Sequence, residues 1–262
     1  MKVHFYKYQA AGNDFVLIDN RDGRLNISIE QVKQICNRRF GVGGDGLILL
    51  EKDPSADFNM VYFNSDGSQS LCGNGCRTAI DLASKLQMIN GSTRFSAYDG
   101  PHHGSILEDG LIRLQMNDVT EVKRLGDDFF IHTGSPHVIR FVSDLKNYPV
   151  VEEGRTVRYS ERFQPAGTNV NFVELLEGNT LAIRTYERGV EDETMSCGTG
   201  ITAAALAAHF RGFHSPVRVK ARGGELKVEF RATISNSGQA DRFHGIFLIG
   251  PAKMVYQGEL EL

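Results

Sequence analysis

The sequence predicts an α/β (α+β) fold of two pseudo-symmetric domains, each a strand-rich, barrel-like sheet wrapped around a central buried helix. Two stretches reveal a repeat: SLCGNGCRTAIDLA and TMSCGTGITAAALAA each place a cysteine before Gly-x-Gly and a small, apolar, helix-prone segment after it. The cysteines, Cys72 and Cys197, lie 125 positions apart in a chain of 262 residues. Most other segments have the composition of short strands. We therefore expect two halves, residues 1–118 and 119–249, with the tail 250–262 packing back on the first half and the active site in the cleft between them.

The first half is predicted to begin with two paired strands, HFYKYQ and FVLID, joined by the turn-rich AAGND. The next segment, IEQVKQICNRRF, has helical spacing, with Ile29, Val32 and Ile35 on one side. Two strands follow, LILLEK and FNMVYFN, and then the mainly small and apolar helix TAIDLASKL after Cys72. The strand IRLQM completes this half.

The second half is predicted to contain six strands around one helix. The helix, ITAAALAAHF, is small or apolar nearly all round, which is typical of a helix enclosed by other elements. The strands are HVIRFV, NVNFVEL, LAIRTYE, VRVKA, LKVEFRATI and GIFLIG. The predicted chain is thus rich in strands and has few helices.

Composition excludes several classes of function. A hydrophobic content of 41% and a charged content of 23% are typical of a soluble globular protein. The net charge of −3 argues against nucleic-acid binding through bulk charge, which requires a basic face. The N-terminal segment lacks the pattern of a secretory signal, and no run approaches the roughly 20 apolar residues of a membrane span. We therefore expect a cytoplasmic protein with a small-molecule partner, and no nucleic-acid or membrane partner.

The cysteines are not expected to form a disulfide scaffold, because the chain is long and has no export signal. A zinc site would use Cys72 and Cys76 with His102 and His103, but these spacings fit structural zinc patterns poorly, so no metal is predicted. The two remaining roles are packing and chemistry. We assign packing to Cys36 and Cys76.

The segment GVGGDG, from Gly41 to Gly46, matches the letters of the dinucleotide-binding fingerprint. That fingerprint requires a strand before it and a helix after it, so that the pyrophosphate meets the helix N-terminus. Here the order is reversed, since a predicted helix precedes the segment and a predicted strand follows it. We interpret the segment as a glycine-rich turn.

A cysteine at the start of a glycine-rich helix suits acid–base chemistry. The first N–H groups of a helix carry partial positive charge, so they stabilise a thiolate or hold a carboxylate. Two opposed thiols, one on each side of a carbon, would remove a proton from one face and deliver one to the other, as a racemase or epimerase requires. A dithiol redox pair is the alternative, although redox motifs usually hold both cysteines in one C-x-x-C turn.

Four segments, AGNDFV, YFNSDGSQSLCGNGCR, GTNVNFV and YERGVEDETMSCGTG, closely resemble the diaminopimelate epimerase family, and the similarity extends over essentially the whole chain. The family belongs to a superfamily of cofactor-independent racemases and isomerases that includes proline racemase and a phenazine-pathway isomerase. The resemblance implies an isomerase without cofactors that interconverts LL- and meso-diaminopimelate in lysine and peptidoglycan synthesis. It also implies assembly as a homodimer.

The resemblance further implies roles for individual residues. Cys72 and Cys197 match the catalytic cysteines, one acting as a thiolate base and the other as a thiol acid. A backbone cradle for the reacting α-carboxylate is matched by Gly73, Asn74, Gly198 and Thr199. The groups that hold the distal end of the substrate are matched by Asn13, Asn64, Asn169 and Arg188. His137 and Glu187 match residues that tune thiol ionisation in the family, and Glu187 also matches a residue near the substrate amine.

Two positions depart from the family pattern. Where some members carry G-F-D-Q, this chain has a glycine, Gly46, and a glutamine contact to the substrate is missing. Where the family often has G-N-P-H, this chain has Ser135, whose side chain can still form hydrogen bonds but is shorter. Both changes concern distal recognition and leave the chemistry intact.

Ordinary structural roles remain as alternatives for the same residues. Asn13, Asn64 and Asn169 could be turn formers, Glu187 and Arg188 an exposed ion pair, and His137 a surface turn residue. Two other functions also remain: an amino-acid-binding module of two lobes, which has no need of paired thiols, and proline racemase, which has no need of the distal groups.

Overall fold

The computed structural model describes residues 1–234 and 240–262. The chain divides into two compact units. Unit 1 comprises Met1–Leu114 and Gly250–Leu262, and unit 2 comprises Gln115–Ile249. The predicted mixed fold, rich in strands with few helices, is confirmed.

The α-helices in the described parts of the chain are α1 Ile29–Cys36, α2 Gly73–Lys85, α3 Val150–Arg158 and α4 Gly198–His209, and Leu145–Asn147 and Glu161–Phe163 form short 3₁₀ helices. The strands are β1 Lys2–Ala10, β2 Asn13–Asp19, β3 Gly46–Glu51, β4 Phe58–Asn64, β5 Ser92–Ala97, β6 Gly100–Ile106, β7 Ile112–Gln115, β8 Val122–Leu125, β9 Asp128–His132, β10 Pro136–Phe141, β11 Asn169–Leu176, β12 Thr180–Glu187, β13 Asp192–Thr194, β14 Val217–Ala221, β15 Gly224–Ile234, β16 Ala240–Gly250 and β17 Lys253–Glu261.

Unit 1 is a continuous strip of strands in the order β17, β1, β2, β3, β4, β5, β6, β7. Two neighbouring pairs are parallel, β2 with β3 and β4 with β5, and the helices α1 and α2 lie in the crossovers between them. Helix α2 contacts strands from both ends of the strip, including β17, β1 and β6. The sheet therefore curls around α2, as the sequence predicts.

Helix α1 lies against β3 and closes a separate apolar cluster. Ser28 caps it by accepting a hydrogen bond from the Gln31 N–H, and the Gln31 side chain accepts one from the Ser28 N–H. Val32 and Ile35 are buried as predicted, whereas Ile29 is 50% exposed. This difference arises because Ile29 is the first helical residue, at the edge of the buried face.

Unit 2 repeats the arrangement. Strands β8, β9, β10, β11, β12, β14, β15 and β16 pair in that order, with β10–β11 and β12–β14 parallel and α3 and α4 in the crossovers. Helix α4 contacts β9, β10, β11, β12, β14 and β15, and its residues from Gly200 to Ala208 are all buried. The apolar character of ITAAALAAHF on every side is thus explained by enclosure.

The two units place corresponding elements at a similar spacing along the chain. In the first parallel pair of each unit Phe15 lies opposite Gly46 and His137 lies opposite Asn169. The helix in the second crossover begins directly after a cysteine in both units, so positions on α2 and α4 correspond at a spacing of 125.

Several elements differ from the sequence-based expectation. Helix α1 ends at Cys36 instead of continuing to Phe40, because the Asn37 side chain accepts hydrogen bonds from the N–H groups of Arg39 and Phe40 and so forms a turn. The sequence also gave no prediction for helix α3 or for strands β5, β6, β8, β9, β13 and β17.

None of the helices in the described ranges combines the length and the apolar character that a membrane crossing requires.

Candidate active site

Cys72 lies at the N-terminus of α2, next to the first helical turn, whose N–H groups lack partners within the helix. Cys72 is the N-cap, with extended backbone angles of φ −128° and ψ 110°, and its side chain is half-buried. The first helical bond joins the Cys76 N–H to the Cys72 carbonyl at 2.8 Å. The preceding N–H groups, including those of Gly73 and Asn74, therefore have no partner within the helical ladder and carry its positive end.

A chain of side-chain hydrogen bonds fixes this turn from below. The Asn13 amide donates to Asp45 Oδ2 at 2.9 Å, Asn74 Nδ2 donates to Asn13 Oδ1 at 2.5 Å, and Arg77 Nη2 donates to Asn74 Oδ1 at 2.7 Å. A carboxylate that can only accept stands at one end and a guanidinium that can only donate at the other. The orientations of both amides are therefore determined.

Arg77 is the largest fully buried side chain in the described part of the protein, with 0% exposure. Its Nε has no hydrogen-bond partner among the described residues, and Nη1 lies 3.5 Å from the Gly73 carbonyl oxygen. Burial lowers the pKa of Arg77 to about 10, while the nearby thiols of Cys72 and Cys76 oppose that decrease. The guanidinium therefore remains charged at neutral pH.

The N-terminus of α4 repeats the geometry of α2 closely. Cys197 is its N-cap with φ −125° and ψ 111°, and the first helical bond joins the Ile201 N–H to the Cys197 carbonyl at 2.9 Å. The Thr133 hydroxyl donates to the Thr199 carbonyl at 2.8 Å and so anchors this turn to the end of β9. Two equivalent cradles, each with a half-buried cysteine, are therefore present. The first cradle is the N-terminal turn of α2 after Cys72, and the second is the N-terminal turn of α4 after Cys197.

His137 lies beneath the second cradle as a neutral ring. The Asn171 side chain donates to the Val138 carbonyl at 3.0 Å and to His137 Nδ1 at 3.1 Å, and its Oδ1 accepts from Thr185 at 2.9 Å. Since Nδ1 accepts, the ring proton is on Nε2. Burial, then the charges of His132 and Arg188, lower the pKa of His137 to about 3.

The Thr199 hydroxyl connects this ring to the thiol. His137 Nε2 lies 2.9 Å from Thr199 Oγ1, which in turn lies 3.4 Å from Cys197 Sγ. The Ser135 hydroxyl also lies 2.9 Å from Nε2, so either hydroxyl can accept the ring proton. A hydrogen-bonded path from the neutral His137 ring to Cys197 therefore runs through Thr199. The alternative of a surface turn residue is wrong, since His137 is fully buried.

Asn169 links the second cradle to the segment that carries Glu187 and Arg188. Asn169 donates to the Ser135 hydroxyl at 3.3 Å and accepts from the Arg188 backbone N–H at 2.9 Å. Arg188 Nη1 donates to the Ala166 carbonyl at 3.0 Å. Glu187 accepts from the Thr194 hydroxyl at 2.8 Å. Asn169 therefore joins the cradle to the backbone that carries Arg188.

In unit 1, Asn13 contacts the cradle directly, whereas Asn64 belongs to the segment that leads to it. Asn64 Nδ2 donates to the hydroxyls of Ser68 and Ser70 at 3.0 and 3.1 Å, and Oδ1 accepts from Tyr62 at 2.9 Å. These bonds fit the turn-forming alternative and also tie Asn64 to Ser70, which lies two residues before Cys72.

The two departures from the family pattern have different structural settings. A Cβ at Gly46 would lie well inside van der Waals contact with the Phe63 carbonyl oxygen and the Tyr62 ring. By contrast, the Ser135 hydroxyl lies 3.0 Å from Thr199 Oγ1 and 2.9 Å from His137 Nε2, so it is part of the second cradle.

Sequence reasoning missed Arg77, Asp45 and Asn171 as members of the site. Asp45 and Asn171 carry a weak signal, since they lie inside GVGGDG and GTNVNFV, two segments already singled out. Arg77 ends the segment YFNSDGSQSLCGNGCR, but nothing in that segment indicates its burial, because an arginine on a helix is ordinarily exposed.

Across residues 1–234 and 240–262, no group of three or more His, Cys, Asp or Glu side chains is placed to bind a metal ion. His102 instead contacts Asp99 at 2.7 Å and stacks on Phe95. Cys36 and Cys76 are buried thiols, and burial raises the pKa of both, that of Cys36 to about 11.

Comparison with known sequences finds one family along the chain. The sequence profile of diaminopimelate epimerase matches residues 5–122 and 129–255. The diaminopimelate epimerase of Flavobacterium psychrophilum is 48% identical over 262 residues, which cover 97% of this chain and 99% of the relative. That of Chlorobaculum tepidum is 42% identical over 263 residues, covering 96% and 99%.

Solved structures share the fold at low sequence identity. A phenazine biosynthesis protein of the PhzF family from Bacillus anthracis superposes with a TM-score of 0.74 at 15% identity, over all of both chains. A hydroxyproline epimerase from Agrobacterium vitis superposes with a TM-score of 0.68 at 16% identity, over 100% of this chain and 93% of that one. These neighbours confirm the predicted fold class of two pseudo-symmetric domains.

Proposed function

The chain belongs to the diaminopimelate epimerase family, and on that premise we propose that it interconverts LL-2,6-diaminopimelate and meso-diaminopimelate. The observation that carries the proposal is the repetition of one device: each unit places a half-buried cysteine, Cys72 or Cys197, as the N-cap of a helix that begins with glycine. A binding module would need the cradles but not the two thiols.

In the proposed reaction the thiolate of one cysteine takes the proton from the α-carbon. The electron pair stays on that carbon and delocalises into the adjacent carboxylate, and the thiol of the other cysteine then delivers its proton to the opposite face. The configuration is inverted, one thiolate and one thiol remain, and the atoms and charges balance. The reverse reaction exchanges the roles of Cys72 and Cys197.

The chemistry is demanding because an amino-acid Cα–H is far less acidic than a thiol. General-base catalysis contributes about 10²–10⁴-fold, so stabilisation of the developing carbanion must supply much of the remainder. The N–H groups of Gly73, Asn74, Gly198 and Thr199 are suited to this, since they lie at the positive ends of two helices and need no reorganisation.

We assign recognition of the distal amino acid end to Asn13, Asn64, Asn169 and Arg188, and the substrate amine to Glu187. The position of Arg188 supports this assignment, because its backbone N–H is held by Asn169 beside the second cradle. His137 tunes Cys197 through Thr199.

The test is epimerisation in heavy water. The reduced protein is incubated with LL-diaminopimelate, and early product and remaining substrate are analysed by mass spectrometry. We expect the first meso product to carry deuterium at the inverted centre and the remaining substrate to be largely unlabelled, because the delivering thiol has exchanged with solvent. Unlabelled meso product at low conversion would refute the two-base mechanism, and turnover of L-proline in place of diaminopimelate would refute the substrate.

Replacement of either thiol tests the assignment of the pair. Cys72→Ala and Cys197→Ala should each reduce epimerisation by about 10²–10⁴-fold, because neither step has a substitute group. Cys76→Ala is the matched control, since its thiol lies one turn further along the same helix and is fully buried. If either cradle variant retains appreciable turnover while the control behaves normally, the two-thiol assignment is wrong.

The biological setting is also proposed. The activity would supply lysine and peptidoglycan synthesis in the cytoplasm, without a cofactor or metal, and the enzyme would act as a homodimer. Size-exclusion chromatography with light scattering tests the assembly.

A further inference from the structure

The two cradles have the same backbone geometry but different charges beneath them. Under Cys72 the hydrogen-bond chain from Asp45 ends in a guanidinium, that of Arg77. Under Cys197 the chain ends in the neutral ring of His137. Helices α2 and α4 are therefore equivalent in backbone geometry, but the side chains beneath them differ in charge.

The charge of Arg77 has no counter-ion of the usual kind. Its side chain is fully buried, and in the described ranges no carboxylate forms an ion pair with it. A buried cation normally requires a paired anion, since desolvation costs several kcal/mol. The acidic groups whose negative charge, when they ionise, favours the charged form of Arg77 are Cys72, at the start of its own helix, and Cys76.

The equivalent position on α4 shows what the fold itself needs. Thr202 occupies it, is fully buried, and donates its hydroxyl proton to the Gly198 carbonyl at 2.9 Å. A small neutral side chain thus completes the same turn of the same kind of helix. The guanidinium of Arg77 is therefore not required by the architecture of the repeat.

Other charged groups around α2 are already engaged. Asp81 accepts from Tyr8 of β1 at 2.9 Å and pairs with Lys85. Asp99, in the turn before β6, acts on Cys76. Cys76 is itself completely buried, and burial raises the pKa of its thiol, so it remains neutral. Of the two thiols near Arg77, the half-buried Cys72 is the one that can carry a negative charge.

We propose that Arg77 is a positioning residue that holds the first turn of α2 through Asn74 and stabilises the thiolate of Cys72 through its charge, so that in the resting enzyme Cys72 is the base and Cys197 the acid. This inference rests on the proposed function. The first turnover from rest then removes the substrate proton to Cys72 and delivers the proton held by Cys197. After that turnover Cys72 must lose a proton and Cys197 must gain one before the reaction can run again in the same direction.

The test measures thiolate formation at each cysteine separately. Reduced protein is treated briefly with iodoacetamide, a neutral reagent, across a range of pH, and modification of Cys72 and Cys197 is quantified by peptide mass spectrometry. The pH midpoint of each profile does not depend on how accessible the thiol is. We expect the midpoint for Cys72 to lie at least about one pH unit below that for Cys197.

Substitution at position 77 identifies the cause. Arg77→Met should raise the Cys72 midpoint by about one pH unit or more, lower its alkylation rate at pH 7 by about tenfold, and leave Cys197 unchanged. Arg77→Lys keeps the charge and should preserve most of the wild-type midpoint. The matched control is Thr202→Val at the equivalent position, which should leave the Cys72 midpoint in place.

The outcomes separate this inference from the proposed function. An unchanged Cys72 midpoint in a folded Arg77→Met protein, or a wild-type Cys197 midpoint below that of Cys72, overturns the role of Arg77 whatever the activity. A wild-type protein that shows the expected midpoints but does not epimerise diaminopimelate retains the inference about the thiols and loses the reaction. If Arg77→Met does not fold, the midpoints of the wild-type protein and of Arg77→Lys still decide whether the inference holds. If the Arg77→Met enzyme is active, the acid limb of its pH profile of kcat/KM should shift to higher pH together with the Cys72 midpoint.

Discussion

One pair of glycines offers a sharp test of the packing beneath the second cradle. Gly75 and Gly200 occupy the same position on α2 and α4, the third residue of each helix. An added Cβ at Gly200 would lie well inside van der Waals contact with Asn171 Oδ1 and 3.2 Å from His137 Cε1. At Gly75 it would meet the terminal methyls of Ile48 at 3.2 Å and Met60 at 3.3 Å, and it would lie at an ordinary contact distance of 3.5 Å from Cys72 Cβ. The same substitution therefore meets a fixed polar network in one unit and flexible side chains in the other.

The expected magnitudes follow from these surroundings. Alanine at either site gains up to about 1 kcal/mol of helix propensity over glycine. In Gly200→Ala the buried Asn171 must move and loses hydrogen bonds to His137 and Thr185, each costing about 1–3 kcal/mol when a buried partner is left unsatisfied. We expect a net destabilisation of about 2–4 kcal/mol. Gly75→Ala should change stability by less than about 1 kcal/mol in either direction.

Differential scanning calorimetry of the two variants, in reducing buffer, measures the difference. A gap of about 2 kcal/mol corresponds to a separation of roughly 4–8 °C between their midpoints for a domain of this size. Equal midpoints would refute the view that Asn171 and His137 form a fixed network beneath α4. A selective loss of stability in Gly75→Ala would refute it as well.

Two further predictions concern the same networks. Because burial lowers the pKa of His137 to about 3, protonation favours the unfolded chain, and stability that is complete above about pH 6.5 declines as the pH falls toward 3. His137→Gln should remove about 2 kcal/mol of the stability difference between pH 7 and pH 5, measured by urea unfolding; an unchanged difference would contradict the buried neutral ring. Asp45→Asn weakens the acceptor for Asn13 and should lower kcat/KM by about tenfold, whereas Asp22→Asn, in an exposed ion pair, should not; equal effects would remove Asp45 from the site.

The parts of the fold that were predicted are those where a single segment carries its own signal. Strand β4 coincides with the predicted FNMVYFN, because its side chains alternate between buried and less buried positions. Helix α4 was recognisable because enclosure on all sides demands small apolar residues along its whole length. In both cases the local amino-acid sequence indicates which side chains are buried.

The elements that were missed depend on partners elsewhere in the chain. Strand β17 has Gln257 and Gly258 in its middle and is largely exposed, yet it pairs along its length with β1. Helix α3 is highly polar, and only Val150 and Gly154 are buried against the sheet. Neither segment has a pattern that distinguishes it from a loop before its partner is known.

The site shows the same division between local and tertiary information. The cysteines and the glycines after them form one contiguous motif, so both cradles were predicted. The burial of Arg77 and the donor–acceptor directions around Asn171 arise from side chains distant in sequence, and only the folded arrangement reveals them.

The crowding around Gly46 has an evolutionary consequence. The Tyr62 ring and the Phe63 carbonyl oxygen both occupy the space that a side chain at position 46 would need, and the Tyr62 hydroxyl donates to Asn64. Gaining the glutamine found in some family members would thus require a backbone shift on β4 as well as a smaller residue at position 62, and that residue would remove one of the hydrogen bonds of Asn64. The two positions are therefore expected to be epistatic. Glutamine at position 46 alone should strongly destabilise the protein, and a smaller residue at position 62 should recover only the part of that cost that comes from the ring.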